Sequence, residues 1–153
     1  LAKNTALKND IFRCVKQGMP GYAECGGLMY LMKNIVDFRN KIFPMVGVFD
    51  SSVKMNDRMA ALGYVNVEVI KKNILSEEGV KTRAHVFHWS YLSRLPKKTE
   101  FAYRVKKKGR DTVLDGLLKW NVLASYTHLH FGSDIRFAKN FVHNCTIYAK
   151  KRH

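Results

Sequence analysis

The chain has 153 residues, of which 46% are apolar and 25% are charged, so it is long enough for one compact domain with a buried core. This apolar content argues against a wholly disordered chain, and no apolar run approaches the ~18 residues that a membrane-spanning helix needs. The net charge is +15, so the surface is basic and excludes no class of anionic partner.

The basic residues lie in short clusters rather than along one stripe. We expect a lysine-rich, solvated surface, because no aromatic RNA-binding motif and no finger or zipper spacing accompanies the charge. The alternatives are a surface for an anionic substrate or for a missing acidic partner domain, and a basic module that binds nucleic acid without catalysis. The clusters are Lys71-Lys72, Lys97-Lys98, residues 104–110 and residues 150–152.

The three cysteines, Cys14, Cys25 and Cys145, are odd in number and contain no C-x-x-C pair. This pattern argues against a disulfide framework and predicts a reducing, cytoplasmic setting. The chain opens LAKNTALKND, without an apolar segment or an initiator Met. We therefore expect no signal peptide and a piece of a longer protein.

The first 38 residues predict the order helix, strand, tight turn, helix. Residues 5–17 have apolar positions at helical spacing (Leu7, Ile11, Cys14, Val15), and Gly18 follows as a stop signal. Residues 19–24 form a short segment that ends at Cys25. Residues 26–38 are again predicted to be helical, with Leu28, Leu31, Ile35 and Phe38 on one face.

The middle of the chain predicts antiparallel strands, because β-branched and aromatic stretches alternate with Gly, Pro or charge clusters. A buried strand at residues 121–126 and a terminal helix at residues 134–148 follow, the latter with Ile135, Ala138, Phe141 and Val142 spaced for packing. We predict an α/β domain with a mixed sheet. The predicted middle strands are residues 62–70, 81–90, 101–105 and 112–118.

The segment YAECGGL places Cys25 where a strand turns into a helix, between the small residues Ala23, Gly26 and Gly27. This is the logic of a nucleophile elbow, in which strained backbone angles at the nucleophile demand small neighbours. We expect the helix N-terminus to lower the pKa of the thiol. The amide of Gly26 would serve as an oxyanion donor. A buried structural cysteine before a Gly-Gly loop is the alternative.

A nucleophilic cysteine needs a base, and His128 and His130 follow the buried strand VLASYT. At the carboxyl end of such a strand they would face the crevice that holds the site. There His128 could take the Cys25 proton, and His130 could orient His128. A buried, hydrogen-bonded histidine is the structural alternative. A zinc site built from these two and from His85 and His88 is another, although no carboxylate or Cys stands at ligand spacing, and we predict no metal.

Four blocks occur in order along residues 18–141: PGYAECGGLMYL, FPMVGVFDSSVKMNDRMAALGYVNVEV, TRAHVFHWSYL and ASYTHLHF. Together they resemble the glutaminase domain of the cobyrinate a,c-diamide synthase family, in the cobalamin-type branch of class I glutamine amidotransferases. The resemblance implies that Cys25 attacks glutamine and that His128 is the catalytic histidine. His130 stands where most class I enzymes have the Glu that orients the histidine, so the resemblance implies no full Cys-His-Glu triad. His130, His85 and His88 are expected to be supporting residues, and ordinary strand histidines are the alternative for His85 and His88.

The resemblance also implies a three-layer class I amidotransferase fold with a mixed central sheet. Gly21, Ala84 and Val86 depart from the family pattern, and Gly21 is expected to loosen the strand before Cys25. The chain contains no phosphate-binding loop G-x-x-x-x-G-K-[ST]. We therefore expect residues 1–153 to be a single amidotransferase domain that lacks its first strand or strands and half of its oxyanion hole, with little activity alone.

The whole ligase would use ammonia from glutamine to amidate the a and c carboxylates of cobyrinate in cobalamin biosynthesis. This domain would bind no cofactor; ATP, Mg²⁺ and the tetrapyrrole would bind a synthetase domain absent from this chain. A homodimer is compatible with the family, and neither a membrane nor a nucleic acid is expected as a partner. A nickel-tetrapyrrole a,c-diamide synthase or a cobyric acid synthase is the alternative within the family.

Overall fold

A computed structural model describes residues 1–93 and 95–151. Within them lie three helices: α1 (Thr5–Lys16), α2 (Gly26–Leu31) and α3 (Ile135–Lys150). The strands are β1 (Gly21–Glu24), β2 (Met32–Val36), β3 (Ile42–Pro44), β4 (Phe49–Met55), β5 (Ala61–Val69), β6 (Lys81–His88), β7 (Ser90–Leu92), β8 (Glu100–Lys106), β9 (Thr112–Lys119), β10 (Val122–Ser125) and β11 (Thr127–Leu129).

Seven of these strands form the larger sheet, in the order β1-β10-β9-β8-β5-β6-β11. Only the β1–β10 pair is parallel, and the other ladders of this sheet are antiparallel. A single residue, Tyr126, separates β10 from β11. The chain therefore pairs with β9 through β10 and with β6 through β11, so the sheet curls back on itself at Tyr126.

Strand β10 is buried on both faces, which gives the domain three layers. Leu123 packs in a core cluster with Phe137 of α3, whereas Val122 and Ala124 pack in a second cluster with Val15 of α1 and Leu28 of α2. Successive side chains of a strand point to opposite faces, so α3 covers one face and the other two helices cover the second. The predicted α/β fold with a mixed sheet is confirmed.

The predicted helix at residues 26–38 is wrong in its second half. Helix α2 ends at Leu31, and β2 follows at once, antiparallel to β3 and parallel to β4 in a second sheet of order β3-β2-β4-β7. Ile35 and Val36 are β-branched residues that suit this strand. Phe38, assigned to the helical face, is 64% exposed.

Helices α1 and α3 form where predicted, but their buried faces differ from the prediction. In α1 the buried residues are Val15 and Lys8, whose Nζ donates to the carbonyl oxygens of Ala2 and Pro44. In α3, Phe137 is the buried anchor, while Ile135 and Val142 are exposed. The buried face of α3 was predicted from apolar spacing alone, and the prediction was shifted because it left Phe137 out.

Gly21 does not loosen β1, contrary to expectation. It pairs with Val122 in an unbroken four-residue register, and a Cβ at Gly21 would lie 3.1 Å from the Val122 side chain. The bulk missing at residue 21 is thus supplied by its neighbour across the ladder.

The basic clusters are at least partly ion-paired at the surface. Lys71 pairs with Glu100, Lys72 with Glu77, and Arg104 with Glu68. Arg152 of the last cluster lies outside the described residues. None of the described helices is both long and apolar enough to cross a membrane.

Candidate active site

Cys25 occupies the junction between β1 and α2 in a strained backbone conformation. Its φ is 48° and its ψ is −103°, a combination rarely found outside glycine. The Cys25 N–H donates to the Ser125 carbonyl oxygen (2.8 Å), and the Cys25 carbonyl oxygen accepts from the Met29 N–H (3.0 Å). Hydrogen bonds to β10 and α2 therefore hold the turn in this conformation.

Small residues surround this turn for a steric reason. A Cβ added at Gly27 would lie 3.2 Å from the Cβ of Ala23, tighter than an ordinary carbon contact, while Gly26 has open space on that side. The close approach of the strand and the helix therefore requires little bulk at Ala23 and Gly27. The order strand, strained cysteine, helix is that of a nucleophile elbow.

The expectation of a lowered thiol pKa at Cys25 is wrong. Burial raises the pKa of Cys25, the hydrogen bond from the Gly26 amide lowers it by a smaller amount, and the charge of Glu24 raises it further. Desolvation is the largest of these effects, because it disfavours the charged thiolate. The resting group is a thiol, and it needs a base to react.

The side chains of Cys25 and His128 both contact the backbone of β6. Cys25 Sγ donates to the Phe87 carbonyl oxygen at 3.6 Å, and His128 Nδ1 lies 3.3 Å from the His85 carbonyl oxygen. Carbonyl groups two residues apart on a strand point the same way and lie about 7 Å from each other. The thiol and the imidazole are thus brought to one edge of one strand.

Two of the other histidines named from the sequence lie elsewhere. The ring of His130 is exposed and folds over Gly132, where an added Cβ would lie 2.7 Å from it. The His88 ring stacks on Tyr126 (centroids 4.0 Å apart) with Nδ1 2.7 Å from the Ser90 carbonyl oxygen. Only His85, directly opposite His128 in the ladder, places its ring near His128, with centroids 6.4 Å apart.

The four histidines do not converge into one cluster. Among residues 1–93 and 95–151, no group of three or more His, Cys, Asp or Glu side chains is arranged to hold a metal ion. The histidines instead spread along β6, β11 and the turn after β11.

Tyr126 lies at the break between β10 and β11 and contacts both His88 and Ser90. Its hydroxyl shares a 2.7 Å hydrogen bond with Ser90 Oγ. Burial raises the pKa of Tyr126 to about 12, and the hydrogen bond with Ser90 lowers it by a smaller amount, so the phenol stays neutral. Sequence reasoning missed this residue.

Two carboxylates near His128 were also missed. Asp115 accepts hydrogen bonds from the backbone N–H groups of Tyr126 (3.2 Å) and Thr127 (2.8 Å). Glu24 accepts one from the N–H of Leu129 (2.7 Å) and another from the Tyr22 hydroxyl. Glu24 stood next to Cys25 in the motif and could have been singled out; nothing local marks Asp115.

Solved structures share this fold. The structure entitled crystal structure of glutamine amidotransferase superposes with a TM-score of 0.66 at 21% identity, over 95% of this chain and 71% of that one. The structure of PurLQS from Thermotoga maritima gives a TM-score of 0.64 at 15% identity, over 94% of this chain and 68% of that one. At these identities the likeness shows the fold of a glutamine amidotransferase domain.

The sequence then narrows the class to one family. Residues 1–135 match the family model of the CobB/CobQ-like glutamine amidotransferase domain, and the chain belongs to this family.

Similar curated proteins are cobyrinate a,c-diamide synthases. That of Dehalococcoides mccartyi strain 195 is 42% identical over 147 residues, which is 93% of this chain and 31% of the relative. That of Archaeoglobus fulgidus is 41% identical over 143 residues, again 93% and 31%. That of Caldanaerobacter subterraneus is 34% identical, over 99% of this chain and 33% of the relative. The chain spans about a third of the length of these relatives.

Proposed function

We propose that this chain is the glutaminase part of an ATP-dependent amidoligase, in which Cys25 is the nucleophile and His128 is its base. The ammonia released from glutamine would amidate the a and c carboxylates of cobyrinate, as the names of the relatives suggest. The observation that carries the proposal is that a strained elbow cysteine and a histidine contact carbonyl groups two residues apart on the same edge of β6.

The chemistry follows from the protonation state of the thiol. His128 takes the proton of Cys25 as Sγ bonds to the side-chain amide carbon of glutamine, and the amide of Gly26 stabilises the oxyanion. The carbon–nitrogen bond then breaks, and the same proton leaves with the nitrogen as ammonia. Water hydrolyses the resulting thioester, giving glutamate and the free thiol.

We assign the activation and amidation of the acceptor carboxylates to other parts of the protein. Activation of a carboxylate by ATP needs a phosphate-binding site, and the motif G-x-x-x-x-G-K-[ST] does not occur in these 153 residues. We therefore propose that ATP, Mg²⁺ and the tetrapyrrole bind outside the amidotransferase domain.

Selective labelling of Cys25 tests the proposal. All three cysteines are partly buried, so accessibility alone favours none of them. We expect 6-diazo-5-oxo-norleucine, an electrophile that mimics glutamine, to modify only Cys25 in the full-length protein, as mapped by peptide mass spectrometry. Excess glutamine should slow this labelling, because both compete for one site.

The matched variants are Cys25→Ser, Cys14→Ser and Cys145→Ser. The first should lose labelling and glutamate release, and the other two should retain both. Equal labelling of the three cysteines, or labelling that glutamine does not slow, would remove the case for a glutaminase nucleophile.

A further inference from the structure

Among the described residues, the strand that carries His128 pairs with a neighbouring strand along one edge only. Strand β11 pairs with β6, where His128 lies opposite His85. Along a strand, successive N–H groups alternate between its two edges, so those of Thr127 and Leu129 point to the same side. Neither joins a backbone ladder on that side; each donates to a carboxylate instead.

Asp115 takes the first of these groups where a ladder ends. The β9–β10 pairing stops at Leu117 opposite Ala124, just before the chain stops pairing with β9 and begins, as β11, to pair with β6. The Asp115 carboxylate then accepts from the N–H of Tyr126 and of Thr127 and from the Thr127 hydroxyl (2.6 Å). It satisfies buried donors that the crossing would otherwise leave without partners.

Glu24 accepts the hydrogen bond of the second of these groups, the Leu129 N–H. It is the last residue of β1, next to Cys25, and its Oε1 reaches the Leu129 N–H at 2.7 Å. The same oxygen accepts the hydroxyl hydrogen bond of Tyr22, which fixes its position. The elbow and the histidine strand are therefore tied together by one side chain.

Resting on the proposed function, we propose that Glu24 and Asp115 are positioning residues, which hold the backbone on either side of His128 so that its imidazole stays within reach of the Cys25 thiol. The described contacts give this role to carboxylates that lie before the cysteine and on β9, and not to His130, whose ring folds away over Gly132.

Steady-state kinetics of the full-length protein provide the first test. We expect Glu24→Ala and Asp115→Ala each to lower kcat for glutamate release about 10- to 100-fold with KM within about twofold, because a misplacement near 1 Å has an effect of this size. Glu24→Gln should recover most of the loss, since its amide oxygen can still accept from Leu129. Glu68→Ala, which removes a carboxylate paired with Arg104 at the surface, is the matched control and should retain full kcat.

Hydrogen exchange, resolved by residue with mass spectrometry, provides a readout that general destabilisation would not give. Glu24→Ala should speed exchange at the Leu129 amide about tenfold or more and leave the Thr127 amide protected. Asp115→Ala should do the reverse. If an alanine variant does not fold, Glu24→Met, which keeps the length of the side chain and removes its acceptor oxygens, replaces Glu24→Ala, and Asp115→Asn, which leaves one of the two oxygens of Asp115, replaces Asp115→Ala.

The outcomes separate the two proposals. If the wild-type protein releases glutamate but the variants that remove the carboxylate acceptors, Glu24→Ala and Asp115→Ala or their replacements, keep kcat within twofold, or lose it with both amides still protected, the positioning role is overturned and the glutaminase stands. If the wild-type protein neither hydrolyses glutamine nor labels at Cys25, the proposed function fails, and with it the role in positioning a base.

Discussion

The two halves of the candidate site are built in different ways. The cysteine turn, residues 23–27, takes its shape from close neighbours in sequence, namely the contact of Gly27 with Ala23 and the bond from Met29, and one distant hydrogen bond, from the Cys25 N–H to Ser125, anchors it to β10. The histidine strand β11 is held by side chains and backbone distant in sequence. His85, Asp115 and Glu24 lie 43, 12 and 105 residues from their respective partners in this segment.

The cysteine turn therefore sets the conformation of Cys25, whereas the histidine strand would set the reactivity of its thiol. The turn fixes where the sulfur points, but burial keeps it a thiol, so the turn by itself yields no nucleophile. The base that would activate it sits on a strand whose position depends on contacts from the rest of the sheet. Substitutions at the two halves should therefore fail in different ways.

Removal of the base should have the largest effect on the histidine half. We expect His128→Asn to lower kcat for glutamate release by about 10²- to 10⁴-fold, because general base catalysis contributes about this much. His143→Asn, at an exposed position on α3, is the control and should retain wild-type kcat. A His128→Asn protein with near-normal turnover would show that another group activates Cys25.

Added bulk should break the cysteine half with a smaller effect. Gly27→Ala forces a methyl group against Ala23, and we expect it to lower the free energy of unfolding by about 1 to 3 kcal/mol, as overpacking commonly does. Gly26→Ala meets open space and should leave stability nearly unchanged. Urea denaturation of both variants measures the difference, and equal stabilities would contradict the steric account of the turn.

The pH dependence of alkylation should give the smallest effect. Because the pKa of Cys25 is raised, mainly by burial, its thiolate fraction at pH 8 is lower than that of an unstructured cysteine, so iodoacetamide should react with it more slowly. This difference in alkylation rate should disappear as the pH rises above the pKa that Cys25 has in the folded protein. Glu24→Gln should narrow it, since the Glu24 charge also raises that pKa.

This last variant sharpens the comparison, since direct alkylation and glutamine turnover read different properties. Loss of the Glu24 charge should speed direct alkylation of the thiol, whereas Glu24→Ala should slow glutamine turnover through His128. A Glu24→Gln protein whose Cys25 alkylates more slowly than wild type at every pH would contradict the electrostatic contribution of Glu24.

Much of the fold could be predicted because its signals are local. Helices α1 and α3, strands β5, β6, β8 and β9 and the buried strand β10 follow from apolar spacing, from β-branched and aromatic stretches and from the Gly, Pro and charged residues between them. The end of α2 at Leu31 could not, because residues 26–38 carry a helical apolar pattern, and the strand β2 forms by pairing with β3 and β4. Tertiary pairing overrode the local pattern there.

By itself, the sequence determined the cysteine turn and its family, because small residues around a cysteine and four ordered blocks are properties of the chain in one dimension. Only the tertiary structure decided which groups surround the histidine. It set His130 over Gly132, placed His88 on Tyr126 and brought Glu24 and Asp115 to the backbone beside His128. It also reversed the expected thiol pKa, because desolvation depends on everything packed around a group, which no spacing of residues records.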